Sequence, residues 1–117
     1  MNTQEFVAAI RTYVQEQTVN GLVKTFTTPP GKRPHDLLIQ VSEWRARLTS
    51  DEQKLFDGVI AESVRVALFG LFAVIDGAKV VDEDVDRFLI TALSHDGGRT
   101  ELNEDTAVDL HSEFAPD

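Results

Sequence analysis

Residues 49–77 read TSDEQKLFDGVIAESVRVALFGLFAVIDG, and the fold turns on how this stretch is taken. Thr49 and Glu52 have the spacing of a capping box. The Thr49 hydroxyl can accept the N–H of Glu52, and the Glu52 carboxylate can reach back to the N–H of Thr49. Ser50 with Gln53 offers the same pairing one residue later. Asp51 and Glu52 suit the positive end of a helix dipole. Leu55, Phe56, Val59, Ile60, Ser63, Ala67, Gly70, Leu71 and Val74 then recur at three-and-four spacing, which predicts one helix over Thr49–Ile75. From Val66 to Ile75 no side chain is polar. A helix apolar all round belongs inside a domain or a bilayer. A bilayer span needs about 20 apolar residues, and this run is roughly half that long, with Glu62 and Arg65 just before it. The expectation is a soluble core helix whose second half is buried on every side, with Phe69, Leu71, Phe72 and Ile75 in the core.

The flanking segments have to supply the walls. Phe6, Val7, Ile10, Tyr13 and Val14 form an amphipathic stripe, predicting a first helix over about residues 3–19 that stops at Asn20-Gly21. Leu22–Phe26 leans towards β structure. Thr27–Pro34, with three prolines and a glycine, is a loop. Pro34 opens the next helix, with Asp36 in its first turn and Leu37, Leu38, Val41, Trp44 and Leu48 on the buried face. Trp44, the single tryptophan, is read as a core side chain against the central helix, its other reading being a binding anchor. After Asp76-Gly77, Lys79–Val81 has the character of a short strand. Residues 87–94 and 99–102 flank the turn His95-Asp96-Gly97-Gly98, predicting a β-hairpin over 87–102. Asn103 or Asp105 can cap a last short helix, from which Val108, Leu110 and Phe114, with Leu102 just before it, would pack back on the rest. Helices first and strands after argue for an α+β fold: three main helices with a long buried central one, then a hairpin and a short C-terminal helix. The 117 residues suit a single domain over 1–117.

The charge is unevenly spread. Residues 1–75 carry 8 acidic and 8 basic side chains; residues 76–117 carry 12 acidic and 3 basic, so the net charge of −9 lies in the last third. Such a surface attracts a basic partner and repels nucleic acid; it also keeps a small protein in solution. The densest cluster is Asp82, Glu83, Asp84 and Asp86. Its alternation is similar to the start of an EF-hand loop, but the sixth position is Arg87 and the twelfth is Leu93, so no metal is expected there.

Catalytic signatures are missing from the sequence. Without cysteine there is no disulfide, thiol chemistry or thiolate-bound metal. His35, His95 and His111 have no zinc-ligand spacing. Neither a P-loop nor a nucleophile elbow is present. Glu62 and Arg65, three apart, can pair on the wet strip of the central helix. Together with His95 and His111 they are the residues that would have to converge if the chain held a pocket near the central helix and the hairpin. Ser63, Ala67 and Gly70 share a face that the first helix or a second copy of the chain can cross closely. Met1–Glu5 lacks a signal-peptide pattern, so a cytoplasmic location is the expectation.

Several pieces together resemble a small group of uncharacterised bacterial proteins. They are Pro29-Pro30-Gly31 with Pro34, Ser42-Glu43-Trp44, Ala67–Gly70 through Val74-Ile75-Asp76-Gly77, and Leu102-Asn103 followed by Leu110-His111 and Phe114. The likeness covers residues 29–114 and implies no activity. In size and acidity the chain is also similar to toxin-immunity proteins. The functional expectation is a non-enzymatic protein-binding module in the style of an immunity or inhibitor protein. It would dock a basic partner through Asp82, Glu83, Asp84 and Asp86, without a cofactor, nucleic acid or membrane, and with a homodimer compatible. The alternatives are a small enzyme or ligand-binding domain, and a nucleic-acid mimic.

Overall fold

The chain is described by a computed structural model that covers residues 1–104 and 108–116. Its order is α1 (Thr3–Ile10), a π-helical segment (Arg11–Glu16), α2 (Gln17–Thr27), α3 (Asp36–Ala46), α4 (Ser50–Ile75), β1 (Thr91–Leu93), β2 (Arg99–Glu101) and α5 (Leu110–Phe114). This is the α+β class expected, with α4 as its central element.

The start of α4 is made as its sequence dictates. Thr49 Oγ1 accepts the N–H of Glu52 at 3.2 Å, and Glu52 Oε1 accepts the N–H of Thr49 at 2.8 Å. A second capping box, Asn2 with Glu5, starts α1. The helical stretch does not stop at Asn20-Gly21; it runs on to Thr27. Gly21 keeps a helical conformation with open space around it. The β-leaning segment Leu22–Phe26 is helical because this places Phe26 edge-on against Phe56 of α4 at 5.9 Å. Packing here overrides local propensity.

α3 begins after His35, whose Nδ1 accepts the N–H of Leu37. It is fastened to α4 by a fork of Arg45 on Asp57, at 2.7 and 3.2 Å, and by Gln53 donating to the Arg45 carbonyl. Trp44 stands edge-on to Phe56 at 5.2 Å, yet it is 43% exposed, so it caps the α3–α4 contact instead of lying in the core.

The core lies at the other end of α4, where Val7, Phe72, Leu110 and Phe114 are enclosed together. Arg11 spreads over the Phe114 ring and donates to the carbonyls of Glu113 and Phe114, closing the end of α5. Gly77 turns the chain back on itself with φ 82°, and a Cβ there would sit 2.0 Å from the Asp86 carbonyl oxygen. Residues 79–81 form no strand; Val80 and Val81 are exposed. The hairpin is shorter than the sequence predicts, with Thr91 opposite Glu101 and Leu93 opposite Arg99. Upstream of it, residues 88–90 are held by Asn103 instead of by a strand: its Oδ1 accepts the Ile90 N–H and its Nδ2 donates to the Phe88 carbonyl. Asn103 therefore does not cap α5. That cap is Asp109, while Asp105, the other expected cap, lies outside the described residues. As expected, Leu102, Leu110 and Phe114 turn inward.

Candidate functional site

Two features stand out: a solvent-open apolar face on α4 and a histidine–carboxylate cluster where α4 meets α5. The face corrects the expectation of a central helix buried all round. Within α4 only Ile60, Phe72 and Ala73 are buried. The row Leu55, Val59, Ser63, Ala67, Leu71, at a strict spacing of four, is exposed along its length. Leu55 is 73% exposed, Val66 beside the row 52% and Leu71 54%. Among the described residues nothing crosses closely at Gly58 or Gly70, where an added Cβ would meet open space. The Ser63 hydroxyl is turned back onto the Val59 carbonyl at 2.8 Å, so it adds no unmet polar group. At one end the face runs into a groove lined by Trp44, Leu48, Leu55 and Val59. As a whole α4 is longer than its apolar run, and by length and composition it meets the requirement for a membrane span. Its other face carries Phe56, Leu68 and Phe72, which pack on α1, α2, α3 and α5.

The cluster is built around Asp76. Placed at the C-terminal end of α4, its carboxylate faces the wrong pole of that helix's dipole. Its side chain, 4% exposed, is instead spent on α5, where Oδ2 accepts the His111 backbone N–H at 2.8 Å and lies 2.7 Å from His111 Nδ1. That contact requires the ring proton on Nδ1 and leaves Nε2 without it in the neutral ring. Asp109 Oδ1 accepts the Ser112 N–H and lies 3.5 Å from Nδ1, and Phe69 stands edge-on to the imidazole. Among the described residues, Asp76, Asp109 and His111 are the group able to offer three metal ligands within 4.8 Å of one another. Two ligands on a tetrahedral zinc at about 2.0–2.1 Å stand roughly 3.3 Å apart. His111 Nδ1 and Asp76 Oδ2 are closer than that, at hydrogen-bond distance. With these hydrogen bonds made, the cluster joins the end of α4 to α5.

Burial pushes the Asp109 carboxyl up, but its hydrogen bonds from Ser112 and the nearby His111 outweigh this and hold it below the ordinary value of 3.8. The cap's contribution is complete above that ordinary value and is lost as pH falls through the lowered one. Asp109→Asn still caps but does not titrate. It is expected to remove this part of the acid dependence in thermal melts taken across pH; an acid limb identical to that of the natural chain would show the cap is not made.

The other residues singled out in the sequence lie apart. Glu62 and Arg65 pair with each other on the surface, at 2.5 and 3.0 Å, and the helix's own neighbour holds Glu62 below the ordinary carboxylate range. Arg65 also borders a cleft with Arg11, Gln15 and Phe114. His95 is exposed in the hairpin turn, and no hydrogen bond or ion pair among the described residues links it to Glu62, Arg65 or His111. Asp82, Glu83, Asp84 and Asp86 are all exposed; the Asp82 carboxylate accepts the N–H of Asp84. The missed feature is Asp76, whose signal was an acidic residue at the unfavourable end of a helix. No protein family, curated protein or solved structure matches the chain.

Proposed function

We propose that this chain is a non-enzymatic protein-binding module whose contact surface is the apolar face of α4. The observation that carries this reading is the solvent-open patch of Val59, Val66 and Ala67 around Ser63, on one side of α4. Contiguous exposed apolar surface of this kind marks an interaction site. A compact monomer of 13.0 kDa exposes about 6,300 Å², whereas this chain exposes 8305 Å². Its radius of gyration is 18.2 Å, against about 13 Å for a compact chain of this length. The fold leaves room for something to be added. The exposed carboxylates Asp82, Glu83, Asp84 and Asp86 form no ion pair among the described residues, and they steer a partner with a basic surface.

A photo-crosslinking side chain placed at Val66 tests the reading inside living cells of the host. Val66 is expected to give a defined protein adduct on illumination, and the exposed Ala8 of α1, outside the face, is expected to give none. Equal labelling at the two positions, or transfer of label to lipid alone, would sink it.

A further inference from the structure

We infer that Asp76, Asp109 and His111 form a site for one divalent transition-metal ion, zinc by its donor chemistry. The ion takes the place of the proton that lies between His111 Nδ1 and Asp76, and it holds α5 to the end of α4 where the bare chain uses a hydrogen bond. The site is separate from the apolar face of α4 and does not depend on what that face binds.

Charge and donor type lead here first. Two carboxylates and an imidazole converge with a single proton to share. Nδ1–H serves Asp76 at 2.7 Å, while Asp109 Oδ1 stands 3.5 Å from the same nitrogen. Apart from His111, no basic side chain among the described residues pairs with either carboxylate. With the ring neutral, two negative charges therefore gather at the negative pole of α4. A carboxylate as enclosed as Asp76, 4% exposed, is ordinarily paired with a cation or coordinated to a metal. One imidazole nitrogen with two carboxylate oxygens and no thiolate suits zinc. Calcium and magnesium prefer oxygen alone.

Geometry leads to the same place. The three ligand atoms already lie within 4.8 Å of one another. The Nδ1–Asp109 separation is that of two ligands on a tetrahedral ion; the Nδ1–Asp76 pair has to open by roughly 0.6 Å to reach it. What holds that pair close is the hydrogen bond the metal replaces. In the neutral ring the displaced proton passes through solvent from Nδ1 to Nε2, so the tautomer changes and no proton is lost overall. Both carboxylates are oriented by backbone donors that the ion leaves in place: the His111 N–H on Asp76 Oδ2 at 2.8 Å and the Ser112 N–H on Asp109 Oδ1 at 3.0 Å. Hydrogen bonds of this kind to the ligands are what fix a metal site. The Phe69 ring, edge-on at 5.8 Å, holds the imidazole. His111 and Asp109 keep 22% and 29% of their side-chain surface exposed, which gives an ion its entry and leaves its fourth position to water.

The test is zinc binding to the full chain after chelator treatment, read by competition with a chromophoric chelator, with thermal unfolding followed in parallel. One zinc per chain is expected, with a rise in the melting midpoint, since an ion that binds only the folded state stabilises it by mass action. Magnesium at the same concentration is expected to leave the midpoint unchanged. Asp109→Ser keeps a capping oxygen for α5 but supplies no carboxylate, and His111→Gln removes the nitrogen. Each is expected to weaken zinc at least about tenfold while the helical circular dichroism stays the same. His35→Asn combined with His95→Gln changes the two exposed histidines and is expected to leave binding intact. Long-range proton–nitrogen NMR is expected to show His111 passing from the Nδ1–H to the Nε2–H tautomer as zinc is added. No zinc bound, binding unchanged in Asp109→Ser, binding lost on replacing His35 and His95, or coordination through Nε2 of His111 would each overturn the site.

Discussion

Phe72→Ala is expected to cost about 3–5 kcal/mol, the usual penalty for emptying a buried aromatic site. The phenyl ring is 4% exposed and is met edge-on by Phe114 at 5.2 Å and by Phe6 at 6.4 Å. It is the one side chain of α4 in the enclosed cluster with Val7 and Leu110, so the loss falls on the contact that joins α1, α4 and α5. A domain of this size has only about 5–15 kcal/mol in hand. The variant should therefore unfold at markedly lower urea, and Phe72→Asp should not fold. Trp44 sits at the far end of α4 and reports on the transition without contacting the site. Leu71 is the control. It is the adjacent residue with similar hydrophobicity, but it points outward, so in dilute monomer Leu71→Ala is expected to change stability by no more than about 0.5 kcal/mol. Equal losses at Leu71 and Phe72 would show that both faces of the helix end are covered.

That contrast marks what the sequence could and could not convey. The ends of α4 were legible because they depend on neighbours in the chain: Thr49 with Glu52 at the start, Asp76-Gly77 at the stop. The class of the fold was legible for the same reason, since helical spacing precedes the hairpin turn. Burial was not, because it depends on how many walls the rest of the chain can build. The run Val66–Ile75 looks the same whether its outer face meets the protein, a second copy or water. Gly21 misled because a glycine tolerates a helix as readily as it ends one when a later residue, here Phe26, has a ring to pack. The cluster was legible only in part: Asp76, Asp109 and His111 are 33 and 35 residues apart along the chain, and only the return of α5 to the end of α4 brings them within reach. The carboxylates of the last third were easily counted, but their arrangement on the surface depends on the short hairpin and on Asn103.

Asn103→Leu is expected to cost about 2–5 kcal/mol despite adding apolar bulk, because each buried backbone group left unpaired costs about 1–3 kcal/mol. Asn103 is 1% exposed, and both ends of its amide are bonded, the oxygen accepting from the Ile90 N–H at 2.9 Å and the nitrogen donating to the Phe88 carbonyl at 2.8 Å. No strand partner replaces those bonds, since the β1–β2 ladder begins only at Thr91. A leucine satisfies neither group. Asn103→Asp separates the two halves of the role. Its carboxylate keeps the acceptor for Ile90 but turns a second oxygen towards the Phe88 carbonyl, and burial further disfavours its charge. Both effects raise its pKa in the folded state above the unfolded value of about 3.9. The protonated acid can donate to Phe88 as the amide does. Its stabilising contribution is therefore present below the unfolded value and lost as pH rises through the folded one. The deficit of Asn103→Asp relative to the natural chain, measured by urea unfolding at each pH, should narrow as the solution is made acid, while that of Asn103→Leu stays level. A deficit of Asn103→Asp that is independent of pH would mean that the donor to Phe88 does not matter, and that the acceptor for Ile90 and the backbone bonds of Phe88 to Ile75 and of Leu102 to Ile90 hold residues 88–90 in place.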